Sequence, residues 1–174
     1  DYRYSVGDLV PFLSEEAFIK YKLKAEAALA TVQARRGLTT KEYAAEIEKA
    51  AASVTADEVY AEEEKTRHDI IALRNRISAR VSEGAKSAVH RPATSYDIVE
   101  TANAARYADA FKKVIIPDMA YLERAWIKPA REERDTLQIG RTHLQHAEPI
   151  TYGFSIAWYV SRFGERVLKI QQSV

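Results

Sequence analysis

Two of the four histidines in the chain, His143 and His146, lie three residues apart in the polar segment 140–149. A histidine side chain titrates near neutral pH, so it can give or take a proton during a reaction. We therefore interpret this segment as a site of proton chemistry. The alternative is a metal site, in which these two rings and either His68 or His90 bind zinc, although no cysteine or carboxylate stands beside them at a characteristic spacing.

Two further polar clusters lie earlier in the chain. Residues 65–69 place a cation, the imidazole of His68 and a carboxylate in succession, and residues 90–97 carry the hydroxyls of Thr94 and Ser95 into an expected helix start. The backbone amides of a helix start, together with such hydroxyls, can bind a carboxylate or a phosphate. The alternatives are structural, namely a solvated helix face for the first cluster and an ordinary N-cap for the second.

The elements that position these clusters are expected to be helices. The chain has only six glycines and five prolines, is rich in alanine, and lacks the strict apolar–polar alternation of a half-buried strand. Ser14 predicts the start of a helix over roughly residues 15–35. Thr39 and Thr55 are each followed three residues later by a glutamate, which is the spacing of a capping box and predicts two more helix starts.

The pattern after Thr55 predicts one long helix with a single apolar face. The residues of that face recur at steps of three, four and seven: Val59, Thr66, Ile70, Leu73, Ile77 and Val81. At about 100° per residue, His68 falls roughly opposite the stripe, with Arg67 and Asp69 at its flanks. His68 is therefore not expected to serve simply as a core residue.

The second half of the chain predicts longer helices. Residues 98–116 are rich in alanine, and Pro117 predicts a kink or a restart because proline lacks an amide hydrogen. Pro129 raises the same question in the next helix. The last helix carries a narrow apolar stripe that runs to the end of the chain, which suggests a fragment or burial by partner helices; its members are Ile156, Val160, Phe163, Val167 and Ile170.

Composition excludes several classes of function. Lysine and arginine total 26 and aspartate and glutamate total 25, so no global charge recruits nucleic acid or an acidic membrane surface. The chain has no cysteine, which excludes disulfides and thiolate metal sites. No apolar run is long enough to span a membrane, and no signal segment is visible at the start. We expect a soluble, cytoplasmic protein.

The three clusters, in this order, resemble the fumarase/aspartase superfamily and, within it, most closely the adenylosuccinate lyases. The resemblance lies in Thr-Arg-His-Asp at 66–69, in His-(x)3-Thr-Ser-x-Asp at 90–97, and in Gly-Arg-Thr-His followed by Gln, Ala and Pro at 140–149. Residues 3–5, Arg-Tyr-Ser, are similar to a short motif that helps to hold the nucleotide. The resemblance implies an all-α fold, with an amino-terminal helical domain over 1–96 and the first long helices of a truncated bundle over 97–174.

The resemblance also implies a reaction. Adenylosuccinate lyases release fumarate from adenylosuccinate by β-elimination, which leaves AMP, and they cleave a succinylated imidazole carboxamide ribotide in the same way. His143 would be the general acid and His68 a nearby substrate contact or supporting proton carrier. The remaining roles concern binding: Thr94 and Ser95 for the succinyl carboxylate, Arg3 and Tyr4 for the nucleotide, Arg67 and Asp69 to complete the pocket, and Gln145 and His90 as further contacts.

No cofactor is implied, and active sites in this superfamily are shared between the subunits of a homotetramer. The serine that would act as base belongs to a downstream loop that is absent from these residues, so the isolated chain is expected to be inactive. Two departures from the family pattern are Arg-Pro-Ala at 91–93 and Leu144, where glycine is common. The alternatives are an argininosuccinate lyase, fumarase or carboxymuconate cycloisomerase type of enzyme, or a noncatalytic helical scaffold.

Overall fold

The computed structural model describes residues 2–174, and the chain divides into two compact units that meet between Asp109 and Ala110. Helices make up most of both units. The all-α prediction is therefore confirmed, with the addition of one small two-stranded sheet in the second unit. The boundary between domains expected after residue 96 stays a prediction.

The first unit is built from helices joined by short turns. Two 3-10 turns, Tyr2–Tyr4 and Gly7–Leu9, precede the first helix. The helices are α1 (Val10–Leu13), α2 (Glu15–Arg35), α3 (Lys41–Ser53), α4 (Ala56–Thr66), α5 (Asp69–Ser78), α6 (Glu83–Lys86) and α7 (Ser95–Ala110).

Local capping sets the helix starts. The Ser14 side chain accepts a hydrogen bond from the Ala17 amide at 3.1 Å, as predicted. The capping box of Thr55 and Glu58 is also present, with both reciprocal hydrogen bonds formed. The third start was predicted one residue too early, because Thr40 rather than Thr39 caps α3.

The core of the first unit lies between α2, α3, α4 and α5. Its largest fully buried apolar side chains are Ile47, Val59, Ile70, Leu73 and Ile77. Burying an apolar side chain of this size contributes about 1.5–3 kcal/mol. Helix α2 contributes Ile19, Leu23 and Ala30 to the same core cluster.

The long helix predicted after Thr55 is in fact two helices. Arg67 has φ +53°, in the left-handed region, and its amide closes α4 on the carbonyl oxygen of Glu63 at 2.7 Å. His68 is then extended and caps α5. The apolar periodicity survives the break because α5 turns its core residues toward the same side, so periodicity alone could not reveal it.

The second unit contains α8 (Ile116–Glu132), β1 (Leu137–Thr142), β2 (Gln145–Thr151) and α9 (Tyr152–Ser173). A π-helical turn, Phe111–Ile115, comes directly before α8. Pro117 lies in the first turn of α8, so the interruption predicted there is present as a local widening of the helix. Pro129 lies inside α8.

The α9 stripe packs within its own chain. Helices α8 and α9 contact each other along their length, and the rings of Trp126 and Phe163 meet edge to face with centroids 5.2 Å apart. All five stripe residues are buried or half-buried. Helix α8 of the same chain therefore covers part of this stripe, while burial of the rest by partner helices stays a prediction. None of the helices described between residues 2 and 174 combines the length and hydrophobicity of a membrane span.

Candidate active site

His68 is fixed by the turn between α4 and α5. Its backbone N–H donates to Thr66 Oγ1 at 3.3 Å, and the same hydroxyl donates to the His68 carbonyl oxygen at 3.0 Å. The ring caps α5, because Nδ1 accepts the Ile71 amide at 3.5 Å. An accepting Nδ1 leaves the proton of a neutral ring on Nε2, which faces away from the helix end.

The segment around His68 meets the start of α7. His68 Nε2 and Ser95 Oγ lie 3.3 Å apart, within hydrogen-bond distance. These residues are 27 positions apart in sequence and come from two of the clusters singled out above. The structure thus brings together a histidine and a hydroxyl at a helix start, a combination suited to binding a carboxylate.

Asp69 lies beside this contact and is held by a buried lysine. Lys22 Nζ is 2.7 Å from Asp69 Oδ2, while Asp69 Oδ1 accepts the Ile70 amide at 2.8 Å and lies 3.4 Å from His68 Nδ1. Partial burial tends to raise the pKa of Asp69. The hydrogen bond and charge of Lys22 outweigh burial, so the pKa is lowered and Asp69 is held as a carboxylate.

The loop before α7 is anchored at its first residue. His90 has φ +63°, and its Nδ1 lies 2.6 Å from Oε1 of Glu26, a residue with only 1% of its surface exposed. Burial raises the pKa of Glu26, and the hydrogen bond and charge of His90 oppose that rise. At the other end of the loop, the Thr94 amide donates to Asp97 Oδ2 at 2.8 Å.

That last bond supports an N-cap role for this segment, in which the third residue of the helix bonds back to the backbone. Ser95 is half-buried and Thr94 is exposed. The structural and functional readings are compatible, since the bond uses the amide of Thr94 and leaves the Ser95 hydroxyl beside His68.

Sequence reasoning missed Lys22, Glu26 and Gln33, which support both segments from α2. Gln33 Nε2 donates to the carbonyl oxygens of Ala88, at 3.1 Å, and Arg91. The sequence did contain a signal for these supporting residues. These three polar side chains recur on the apolar face of α2, where an unpaired charge would be costly.

The His143 segment was predicted as a polar turn between helices, and it is the tip of a β-hairpin. Strands β1 and β2 pair antiparallel, with Arg141 opposite His146 and Thr142 opposite Gln145. The two-residue turn consists of His143 and Leu144, both exposed. The alternation that marks a buried strand is missing because this hairpin is largely exposed, so its backbone pairing left little trace in the sequence.

Both turn residues adopt left-handed backbone conformations, with φ +51° for His143 and +64° for Leu144. This is the geometry of a type I′ turn, which favours glycine or asparagine because a Cβ atom is strained there. Strain of this kind is concentrated at functional sites. The turn leaves His143 exposed at the end of the hairpin.

The remaining predicted contacts lie at the surface of their units. Arg3 and Tyr4 are exposed and belong to the 3-10 turn Tyr2–Tyr4, with the Arg3 guanidinium 5.8 Å from the centroid of the Tyr4 ring. Arg67 is exposed at the break after α4. Gln145 is exposed beside the His143 turn. The roles assigned to these residues stay predictions.

The zinc alternative finds little support among residues 2–174, where no three His, Cys, Asp or Glu side chains gather in a metal-binding arrangement. His143 and His146 lie on the exposed hairpin, and His68 and His90 are engaged by Ser95 and Glu26.

Comparison with known families decides the class of protein. A family model described as Lyase matches residues 9–174, nearly the whole chain. The chain belongs to this lyase family. The predicted place in the fumarase/aspartase superfamily is thereby confirmed.

Curated relatives of this chain carry the names of several lyases. The chain is 36% identical to adenylosuccinate lyase of Methanocaldococcus jannaschii over 176 residues, and 35% identical to that of Archaeoglobus fulgidus over 172. It is 31% identical to the N-acetyl-S-(2-succino)cysteine lyase of Enterococcus italicus. Each match covers 98% or 99% of this chain and 38% of the relative, so the chain spans well under half the length of these curated relatives.

Solved structures of other enzymes share the fold. A fumarate lyase from Mesorhizobium sp. BNC1 superposes with a TM-score of 0.84 at 31% identity, covering 94% of this chain and 39% of that one. The 3-carboxy-cis,cis-muconate lactonizing enzyme of Pseudomonas putida gives a TM-score of 0.85 at 26% identity, covering 97% and 39%. The fold is therefore common to enzymes with different substrates.

Proposed function

We propose that this chain is part of a carbon–nitrogen lyase that cleaves adenylosuccinate to AMP and fumarate, and that acts likewise on the succinylated imidazole carboxamide ribotide of purine synthesis. One observation carries the proposal: the 66–69 and 90–97 segments meet at the contact of 3.3 Å between His68 Nε2 and Ser95 Oγ. The adenylosuccinate lyases among the relatives support the choice of substrate.

The reaction is a β-elimination. A base removes a proton from the carbon next to a carboxylate, the electron pair forms the double bond of fumarate, and the C–N bond breaks as an acid protonates the departing nitrogen. In this proposal His143 is the acid. The base is a serine supplied by a part of the protein beyond these residues.

The residues of the first unit bind the substrate. Ser95 and Thr94, at the start of α7, receive the succinyl carboxylate, where negative charge accumulates during proton removal. His68 supports Ser95 and contacts the substrate, or carries a proton. Arg67, Asp69 and His90 complete the pocket, and the nucleotide is held by Arg3 and Tyr4. Gln145 lies beside the acid on the hairpin.

We further propose that the whole protein is a cytoplasmic homotetramer with active sites shared between subunits and no cofactor. The exposed outer side of α9, on which Phe154, Trp158 and Leu168 are each more than half exposed, is compatible with such an assembly. A shared site also explains how a separate downstream segment could supply the base.

A second candidate is elimination from a different succinylated compound. The relative named N-acetyl-S-(2-succino)cysteine lyase favours it, as does the Arg-Pro-Ala sequence at 91–93 beside the proposed carboxylate site. The pocket that receives the leaving group would then differ, while the carboxylate site would be kept.

The test is fumarate release by the whole protein from adenylosuccinate, with argininosuccinate and S-(2-succino)cysteine compounds as comparison substrates. Release from adenylosuccinate with the highest kcat/KM supports the proposal. Activity confined to another substrate would refute the choice of adenylosuccinate as substrate and would leave the proposed lyase activity standing. Inactivity on every succinylated compound would favour a noncatalytic scaffold.

A further inference from the structure

We propose that Lys22 and Glu26 are positioning residues: two buried, opposite charges one turn apart on α2, each holding one of the segments that meet at His68 and Ser95. The proposal rests on the proposed function only in treating that meeting point as a substrate site. The placement of the two segments can be tested without any activity.

Lys22 holds the first segment. Only 5% of its surface is exposed, and its ammonium lies 2.7 Å from Asp69 Oδ2 and 4.0 Å from the centroid of the Phe18 ring. A buried ammonium requires a partner of opposite charge, so Asp69 is drawn onto α2. Asp69 begins α5 directly after His68, and fixing it therefore fixes where the His68 ring points.

Glu26 holds the second segment. Its Oε1 lies 2.6 Å from His90 Nδ1, while Oε2 is buried with no hydrogen-bond partner in the described part of the chain. A buried carboxylate with one unsatisfied oxygen lowers the free energy of unfolding, so stability alone does not explain it. Its presence is explained if the contact is needed to set the loop that leads from His90 to Ser95.

The two contacts act from one face. Residues four apart on a helix lie one above the other, so Lys22 and Glu26 point to the same side of α2. Gln33 continues the support farther along the helix, where it binds the loop carbonyls of Ala88 and Arg91. Helix α2 thus sets how close the two segments come to each other. At their meeting point, His68 Nε2 and Ser95 Oγ are 3.3 Å apart.

Hydrogen exchange on the full chain tests the placement. Lys22→Met should speed amide exchange about tenfold or more at residues 66–72 only, and Glu26→Leu should do so at 88–97 only, because each removes one anchor. Glu26→Gln keeps an oxygen that can accept from His90 and should remain close to the wild type. Lys20→Met and Glu48→Gln, which change exposed residues of α2 and α3, are the matched controls.

Kinetics of the whole protein test the consequence. Lys22→Met and Glu26→Leu should lower kcat/KM about tenfold or more, chiefly through KM, since they disturb binding groups rather than the acid. Glu26→Gln should restore most of the loss. Should Glu26→Leu fail to fold, Glu26→Ala removes the same contact with a smaller side chain and takes its place.

Equal acceleration of both segments by either variant would overturn the proposal, because that is the response to general destabilisation. So would selective loosening with unchanged kinetics on the substrate. If the wild type releases no fumarate while each variant loosens its own segment, the proposed function fails and the placement by α2 stands.

Discussion

At the scale of single residues, the feature that matters most is the left-handed turn of His143 and Leu144. A nonglycine residue in this conformation costs about 1–2 kcal/mol, and two occur in succession here. The histidine is required for the proposed chemistry, whereas no role in it is assigned to the leucine. The two positions should therefore respond oppositely to substitution.

For His143, we expect His143→Asn in the whole protein to lower kcat by about 10²- to 10⁴-fold, as removal of a general acid does. Asparagine tolerates the left-handed conformation, so the hairpin and substrate binding should persist. Single-turnover kinetics and equilibrium binding of adenylosuccinate measure the two effects. Unchanged turnover would remove His143 from its role as acid.

For Leu144, we expect Leu144→Gly to raise the free energy of unfolding by about 1 kcal/mol, because glycine has no Cβ to strain at φ +64°. Leu144→Ala keeps the Cβ and serves as the control, with no comparable gain. Denaturant titration of both variants gives the comparison. A glycine variant no more stable than the alanine variant would show that the turn is not strained.

At the scale of elements, short-range contacts decide where helices begin, and close approaches decide how they pack. The start of α4 is a clear local case. The side chains of Thr55 and Glu58 each accept a hydrogen bond from the other residue's backbone amide, and Glu58 also pairs with Arg80. The junction of β2 with α9 is a packing case, in which Gly153 lies against the end of α8.

The α4 cap predicts a dependence of stability on pH. The Thr55 backbone hydrogen bond, followed by Arg80, lowers the pKa of Glu58 from 4.5 to about 2. A carboxyl with a lowered pKa in the folded state stabilises the fold above its unfolded value, and this contribution is lost as the pH falls from 4.5 through about 2. The difference in thermal midpoint between the wild type and Glu58→Gln should therefore shrink over that range. A constant difference would contradict the assignment.

The junction predicts a reversal of the usual glycine rule. In an exposed helix, alanine is more stabilising than glycine by about 1 kcal/mol. At Gly153 an added Cβ would lie 2.4 Å from the Ala130 carbonyl oxygen and 2.6 Å from the Arg134 backbone nitrogen. We expect Gly153→Ala to cost about 1–3 kcal/mol of unfolding free energy. Gly7→Ala, where nothing lies within 4 Å, is the control and should be nearly neutral.

At the scale of the whole molecule, the chain carries part of a lyase, with 38% of the length of the curated adenylosuccinate lyases quoted above. Its first unit holds the proposed carboxylate site and its second holds the proposed acid. The proposed base lies in neither unit. The proposed reaction would therefore require protein beyond these residues.

We accordingly expect the chain of 174 residues to release no fumarate from adenylosuccinate, even where circular dichroism shows it to be folded. Without a base, proton removal from carbon has no acceptor at the site. The whole protein under identical conditions is the positive control. Fumarate release by the chain alone, abolished by His143→Asn, would mean that the base lies within these residues.

The sequence by itself determined the helical class, the caps at Ser14 and Thr55, the interruption at Pro117 and the family. These features are set by contacts within a few residues or by short motifs, and both can be recognised in the amino-acid sequence. The helix break at Arg67 was not predicted because the apolar periodicity continues across it. The hairpin was not predicted because it is exposed and lacks the apolar–polar alternation of a half-buried strand.

Only the tertiary structure decided which clusters meet. The Lys22 and Asp69 pair spans 47 residues, the Glu26 and His90 pair spans 64, and nothing in the spacing of either joins one partner to the other. Helix packing brings them within bonding distance, and burial then makes each charge depend on its partner. The sequence thus supplied the chemical groups of the candidate site, and the packing of α2 against its neighbours fixed their separation.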